Sequence, residues 1–296
     1  MHLARDMRIE FYLKLRKGKY MMSRMLRRAV LICRSDTSEA LKLASEIRLR
    51  LLELGLSVEV EEDVASKLGF HGKPIDELDG DFAVVVGGDG TILRAVHGLK
   101  RDIPLLTVRL GRVGFLAEVE KEEVPEALNR FISGDFMIDE CFTLTNNKNL
   151  PEALNEIMVG AELPLKTIDV EVYVDGWFIA RDRVDAIIVS TTTGATGYSL
   201  SAGGCLVDSR VKAIMVVPVC PLSTNFKPYV LPEESEIRIS VATGDNIVVL
   251  IDGQFMSRFK PPFDVIIRRG KRTVKFIRFE SNFYKRIRRR LALSSI

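Results

Sequence analysis

The chain has 296 residues, 47% of them hydrophobic, with 43 Lys and Arg against 40 Asp and Glu for a formal charge of +3. That length supports a large core and two domains, and a charge so near balance leaves no electrostatic footprint for nucleic acid. The widely spaced Cys33, Cys141, Cys205 and Cys220 form no CxxC pair and the only histidines are His2, His71 and His97, which excludes a disulfide framework or a zinc or histidine cluster and fits a reducing cytoplasm.

The first 24 residues are basic and mixed, with Lys and Arg interrupting every apolar stretch. They lack the apolar region of a secretory signal, and Met21, Met22 and Met25 are alternative starts. A poorly ordered extension or a mis-set start codon is the expectation there. No apolar run approaches the roughly 20 residues that cross a bilayer, so no membrane association is expected.

Folding signals begin at Arg28 to Cys33, a strand, followed by Ser35-Asp36-Thr37-Ser38, which caps a helix running to about Leu54 and stopping at Gly55. Leu56 to Val60 reads as a second strand. Phe82 to Val86 is short, apolar and β-branched, as a strand covered on both faces should be. It runs into Gly87-Gly88-Asp89-Gly90-Thr91 and a helix to Leu99. Pro104 to Val108 is a fourth strand and Lys121 to Phe131 a helix. Alternating strands and helices over residues 25–134 predict an α/β domain with a parallel sheet.

Past Gly134 the texture changes. Short β-branched runs follow at Ile168 to Val174, Ala186 to Ser190, Val211 to Val217, Ile237 to Val241, Ile247 to Ile251 and Val265 to Ile267. Turns at Asp175-Gly176, Gly244-Asp245 and Asp252-Gly253 separate them, so residues 135–270 are expected to form a mainly antiparallel β domain. A basic tail follows over residues 271–296, with Lys285, Arg286, Arg288, Arg289 and Arg290 read as a solvated face or a packed arm.

Three segments carry chemistry. Glycines after the third strand allow the backbone to approach a ligand closely, and the N–H groups and dipole of the following helix favour a phosphate. Asp89 then stands beside an anion, which is unfavourable unless it accepts a proton from an attacking hydroxyl or holds a cation. A capped tight turn is the plain alternative. Asn155-Glu156 lies between apolar residues, either as a ligand site or as a polar pair at an element's end. Asp185 to Gly204 has a strand, hydroxyl-rich turn, helix layout whose hydroxyls and N–H groups suit sugars, adenine or phosphate, with Tyr198 offering a ring for stacking.

These residues resemble the NAD kinase family from about Leu26 onward. Gly87-Gly88-Asp89-Gly90-Thr91 matches its GGDGT signature and Asn155-Glu156 its NE pair. Ser190-Thr191-Thr192-Thr193-Gly194 with Tyr198 matches its glycine- and threonine-rich loop, and Asp252-Gly253-Gln254 a late DGQ element. The resemblance implies that Asp89 is the general base at the adenosine 2′-hydroxyl of NAD, and that Gly87, Gly88, Gly90 and Thr91 shape the phosphate turn. It places Asn155 and Glu156 around the riboses, and Asp185, Ser190, Thr193, Thr196, Gly197, Tyr198, Ser201 and Gln254 around the rest of the dinucleotide. It implies a C-terminal tail returning to the first domain, and NAD with ATP or polyphosphate as substrates. A divalent metal, Mg²⁺, would accompany the donor phosphates with no metal-ligating protein residue assigned. A homodimer or homotetramer is expected.

Ala195 and Gly197 depart from a family GSTAY run, Leu222 replaces a common histidine, and Lys227 stands near an expected arginine. Arg94 reads as a surface residue or a phosphate contact, and Arg109 and Arg112 are unassigned at the sheet edge. A lipid kinase of the diacylglycerol type shares GGDGT and the two-domain plan, but the Thr-rich loop with Tyr198 speaks against it. A non-catalytic NAD(P) sensor is countered by the intact Asp89.

Overall fold

A computed structural model describes residues 26–111, 114–163, 166–243, 246–279, 283, 284 and 287. The N-terminal extension, Arg112, the Gly244-Asp245 turn and the basic cluster at 285, 286 and 288–290 lie outside the described residues.

The first half alternates β1 (Arg28–Cys33), α1 (Ser38–Glu53), β2 (Ser57–Val60), α2 (Glu62–Leu68), β3 (Phe82–Gly87), α3 (Asp89–Gly98), β4 (Leu105–Arg109), a short β5 (Val119–Glu120) and α4 (Val124–Ile132). Strands β2, β1, β3 and β4 lie side by side in parallel. All six residues of β3 are buried, because helices cover both faces. Ala40, Ile47, Val64 and Leu128 of α1, α2 and α4 pack on one face, and Ile92, Leu93 and Val96 of α3 on the other. Thr37 caps α1 by accepting from the Ala40 N–H at 3.3 Å.

The second half contains β6 (Met137–Asn146), β7 (Glu156–Ala161), β8 (Ile168–Val174), β9 (Trp177–Val184), β10 (Ala186–Thr191), a one-turn α5 (Tyr198–Ser201), β11 (Ala213–Val219), β12 (Tyr229–Pro232), β13 (Ile237–Thr243), β14 (Ile247–Ile251), β15 (Phe255–Phe259) and β16 (Phe263–Arg278). Six of these strands form an antiparallel sheet in the order β12-β11-β10-β7-β14-β15. It packs on the antiparallel part of the large sheet through Val170, Ile187, Ile239, Val249 and Val265. Strands β8 and β13 alternate buried and half-buried residues, as strands with one covered face do.

The long last strand joins the halves. It pairs antiparallel with β13 and β6, and meets β4 in parallel at Phe276 opposite Leu105. One ten-stranded sheet therefore runs β2-β1-β3-β4-β16-β13-β8-β9, with β5 on β4 and β6 on β16. The chain returns to its first half as the resemblance implied.

Several element limits differ from the sequence pattern. Helix α3 starts at Asp89, not Thr91, because Gly88 is its cap. The run read as Val211 to Val217 is strand from Ala213 to Val219. Strands β6, β9 and β15 carry exposed or charged residues along much of their length, which hides their period.

Candidate active site

Gly87 ends β3 and Gly88 caps α3. The turn is tight: a Cβ on Gly87 would lie 2.5 Å from Thr91 Oγ1, so glycine is required for Thr91 to fold back over the strand end. Around Gly88 and Gly90 nothing approaches within 4 Å of where a Cβ would sit, so the start of α3, where helix N–H groups lack intrahelical partners, is open to a ligand. The Asp89 carboxylate accepts from the Phe115 N–H at 3.0 Å and the Leu116 N–H at 3.1 Å. The segment after β4 thus fixes the carboxylate. That segment is held in turn by Thr107 Oγ1 and Arg278 Nη1, which both donate to the Leu116 carbonyl at 3.0 and 2.9 Å. Arg278 is buried and pairs with Glu118 and Asp139, each at 3.3 Å.

Glu156 opens β7 and Asn155 precedes it, both 8% exposed. Their backbone is organised by Asp252, which is buried after β14. Its Oδ1 accepts from the Asn155 and Glu156 N–H groups at 2.8 and 3.0 Å, and its Oδ2 from the Leu154 N–H at 2.7 Å and His97 Nε2 at 2.8 Å. With their backbones satisfied, the side chains have polar atoms to spare: Asn155 Oδ1 and Glu156 Oε2 are buried with no hydrogen-bond partner. Such atoms in a native fold call for a ligand or water. Burial, then the nearby Asp252 charge, push the Glu156 carboxyl up to about 8, while the Tyr198 backbone N–H acts in the opposite direction.

The threonine-rich loop packs directly onto this pair. Thr191 donates its N–H to the Asn155 carbonyl at 2.9 Å and its Oγ1 to the Leu154 carbonyl at 2.6 Å. Ser190 Oγ also reaches the Asn155 carbonyl, at 3.3 Å. Gly197 lies beside both site residues, where a Cβ would be 3.2 Å from Glu156 Oε2. Thr193, Thr196, Phe115, Leu116 and Arg278 line one cleft, so the Asp89 segment and the threonine loop share a cavity wall.

Two family descriptions match along the chain: ATP-NAD kinase N-terminal domain over residues 29–136, and ATP-NAD kinase C-terminal domain over residues 154–279. The chain belongs to the NAD kinase family. It is 39% identical over 262 residues to the NAD kinase of Pyrococcus furiosus, covering 86% of this chain and 95% of that protein. It is 40% identical over 262 residues to that of Thermococcus kodakarensis, covering 86% and 94%. Among solved structures, an NAD kinase from Archaeoglobus fulgidus in complex with ATP superposes with a TM-score of 0.76 at 30% identity, over 89% of this chain and 99% of that one. Yeast NADH kinase complexed with NADH shares the fold, with a TM-score of 0.84 at 24% identity over 92% and 89%. Nothing in these similarities favours a lipid kinase or a sensor.

Not every residue suggested by the NAD kinase resemblance falls in the cluster. Gly87, Gly88, Asp89, Gly90 and Thr91 lie together where β3 meets α3; Asn155, Glu156, Ser190, Gly197 and the Tyr198 backbone lie against one another, and Thr193 and Thr196 line the cleft with Phe115 and Leu116. Ser201 is exposed at the end of α5, and Gln254 is exposed in the β14–β15 turn. Asp185 precedes β10 at the end opposite Ser190, about 16 Å along the strand at 3.3 Å per residue, and takes a hydrogen bond from the Cys220 thiol. Arg94 is half-buried and paired with the buried Glu61, with Nη2 also 3.1 Å from the Cys33 carbonyl. Arg109 pairs with Glu120 at 2.7 Å.

Sequence reasoning missed Asp252, His97 and Arg278. The DGQ element was the one signal for Asp252, and it drew attention to the exposed Gln254 instead. Among the described residues no three His, Cys, Asp or Glu side chains are placed to hold a metal ion. The single carboxylate of Asp89 beside an open anion turn fits Mg²⁺ carried on substrate phosphates, which needs only one or two protein carboxylates. No helix among the described residues is long and apolar enough to cross a membrane.

Proposed function

We propose that the protein transfers the terminal phosphoryl group of ATP or polyphosphate to the adenosine 2′-hydroxyl of NAD, giving NADP. The observation that carries this reading is the pair of unsatisfied buried oxygens, Asn155 Oδ1 and Glu156 Oε2, packed under a hydroxyl-rich loop whose Thr193 and Thr196 share a cleft with the Phe115–Leu116 segment that fixes Asp89. Ribose hydroxyls supply the donors such oxygens lack.

Asp89 accepts the proton of the 2′-hydroxyl as the oxygen bonds to phosphorus. A secondary hydroxyl is a poor acid, so a positioned carboxylate assists its attack. The Phe115 and Leu116 N–H groups hold the carboxylate in one orientation beside the donor. The N–H groups at the start of α3 bind the donor phosphates without adding side-chain charge. A divalent metal such as Mg²⁺ bound with the donor would supply neutralisation of the phosphate charge. Asn155 and Glu156 orient the adenosine ribose, while Ser190, Thr193, Thr196, Gly197 and Tyr198 enclose the remainder of NAD. Asp185, Ser201 and Gln254 act from the edges, as sites completed by a second subunit of a homodimer or homotetramer. The four unpaired cysteines suit a reducing cytoplasm.

The reading is tested by incubating the purified protein with NAD, Mg²⁺ and either ATP or polyphosphate, and detecting product with an NADP-specific dehydrogenase. NADP forms with at least one donor. No NADP with either, despite calorimetric binding of NAD, would mean a sensor; no NAD binding would point to lipid substrates.

A further inference from the structure

We infer that His97 is a positioning residue for NAD: its imidazole ties the Asn155–Glu156 corner, through Asp252, to the helix that presents Asp89. The inference rests on the proposed kinase reading and extends it to a residue outside every motif.

Asp252 is a four-way junction. Three of its hydrogen bonds come from consecutive N–H groups at 154, 155 and 156, and its own N–H returns to the Glu156 carbonyl at 3.0 Å. These bonds make one rigid unit of the β14 end and the β7 start. The residue adopts a left-handed backbone at φ 50°, which a short polar side chain tolerates and a β-branched one does not.

The fourth bond to the carboxylate leaves that unit. His97 lies in the last turn of α3, eight residues beyond Asp89 and so about 12 Å along the helix axis. It is 155 positions from Asp252 in sequence, and its side chain is 5% exposed against 0% for Asp252. An ionised carboxylate only accepts, so the 2.8 Å contact places the imidazole hydrogen on Nε2. The Phe255 ring, edge-on with centroids 4.9 Å apart, holds the imidazole plane. No other side chain among the described residues hydrogen-bonds Asp252, so His97 is the one link between this carboxylate and the Asp89 helix.

The geometry separates the two substrates. The donor phosphates meet the N-terminal N–H groups of α3, which His97 does not touch, whereas the riboses of NAD span Asp89 and the Asn155–Glu156 corner. Loosening the junction therefore weakens NAD binding and leaves the donor site intact.

Two substitutions isolate the Nε2 hydrogen. The side chain of His97→Gln carries an N–H to the position of imidazole Nε2; that of His97→Asn stops near Nδ1, short of Asp252. Loss of a buried charge-assisted bond predicts that His97→Asn raises the calorimetric Kd and the KM for NAD about tenfold, with the donor KM within about twofold of wild type. His97→Gln retains NAD affinity within about threefold. If His97→Asn is not recovered folded, His97→Leu supplies the same loss. Wild-type NAD affinity in His97→Asn, an equal rise in both KM values, or a His97→Gln protein as weak as His97→Asn would overturn the inference while the wild-type activity stands. Failure of the wild-type protein to bind NAD would overturn the functional reading and the inference with it.

Discussion

Gly194 presses against the carbonyl oxygen of Asn155. A Cβ at this glycine would overlap that oxygen and also crowd Ser190 Oγ. The close approach lets Thr191 and Ser190 bond the same carbonyl and brings the threonine loop onto the Asn155–Glu156 pair. Because the obstacle is backbone, no side chain can swing aside to relieve it.

Gly194→Ala is therefore expected to lower stability by roughly 1–3 kcal/mol, the cost of overpacking a close-packed interior. NAD affinity should fall with it, since the loop moves off the Asn155 corner. Thermal unfolding and calorimetry with NAD check both. A variant as stable as wild type and equally able to bind NAD would show that the contact does not constrain the loop.

The raised Glu156 carboxyl predicts a pH effect on stability. Its ordinary value is 4.5 and its folded value about 8, so the folded protein keeps a proton that the unfolded chain has released across that interval. The stabilising contribution is complete below about 4.5 and disappears as pH rises through about 8. Glu156→Gln cannot ionise, so its melting temperature should gain on that of wild type between pH 5 and pH 8.5. Parallel pH profiles for the two proteins would mean that Glu156 is ionised in the native state.

Arg94 tests structure against ligand binding. Its partner Glu61 is 6% exposed while Arg94 itself is 39% exposed. Arg94→Met leaves a buried carboxylate unpaired and should cost roughly 1–3 kcal/mol, less than for a fully buried pair because the outer part of Arg94 is already solvated. The donor KM should stay within about twofold, because the guanidinium is spent on Glu61 and Cys33 rather than on phosphate. A large rise in donor KM with unchanged stability would reassign Arg94 to the phosphates.

The α/β half was legible because its strands are continuous apolar runs and its helices are capped: β1, β3 and α1 lie within a residue or two of their sequence expectation. Edge strands such as β9, with Trp177 77% exposed and Arg181 and Arg183 outward, carry no clear period. Local motifs announced Asp89, Asn155, Glu156 and the threonine loop. The groups that orient them were not legible, because their partners are remote in sequence. His97 reads as one polar residue in an amphipathic helix until Asp252 folds against it. Arg278 likewise reads as one charge in a basic segment until its strand docks beside Leu116. Asp185, which the family resemblance puts around the dinucleotide with Ser190, stands at the other end of β10, since an extended strand separates residues that a helix would keep close.

The role of Asp89 is tested most directly by the turnover of Asp89→Asn at saturating NAD and donor, with NAD affinity measured on the same protein. General-base action predicts a kcat at least about a hundredfold below wild type, with the Kd for NAD changed by no more than about threefold. Turnover at the wild-type rate with an unchanged pH profile would place the proton acceptor elsewhere and contradict the account.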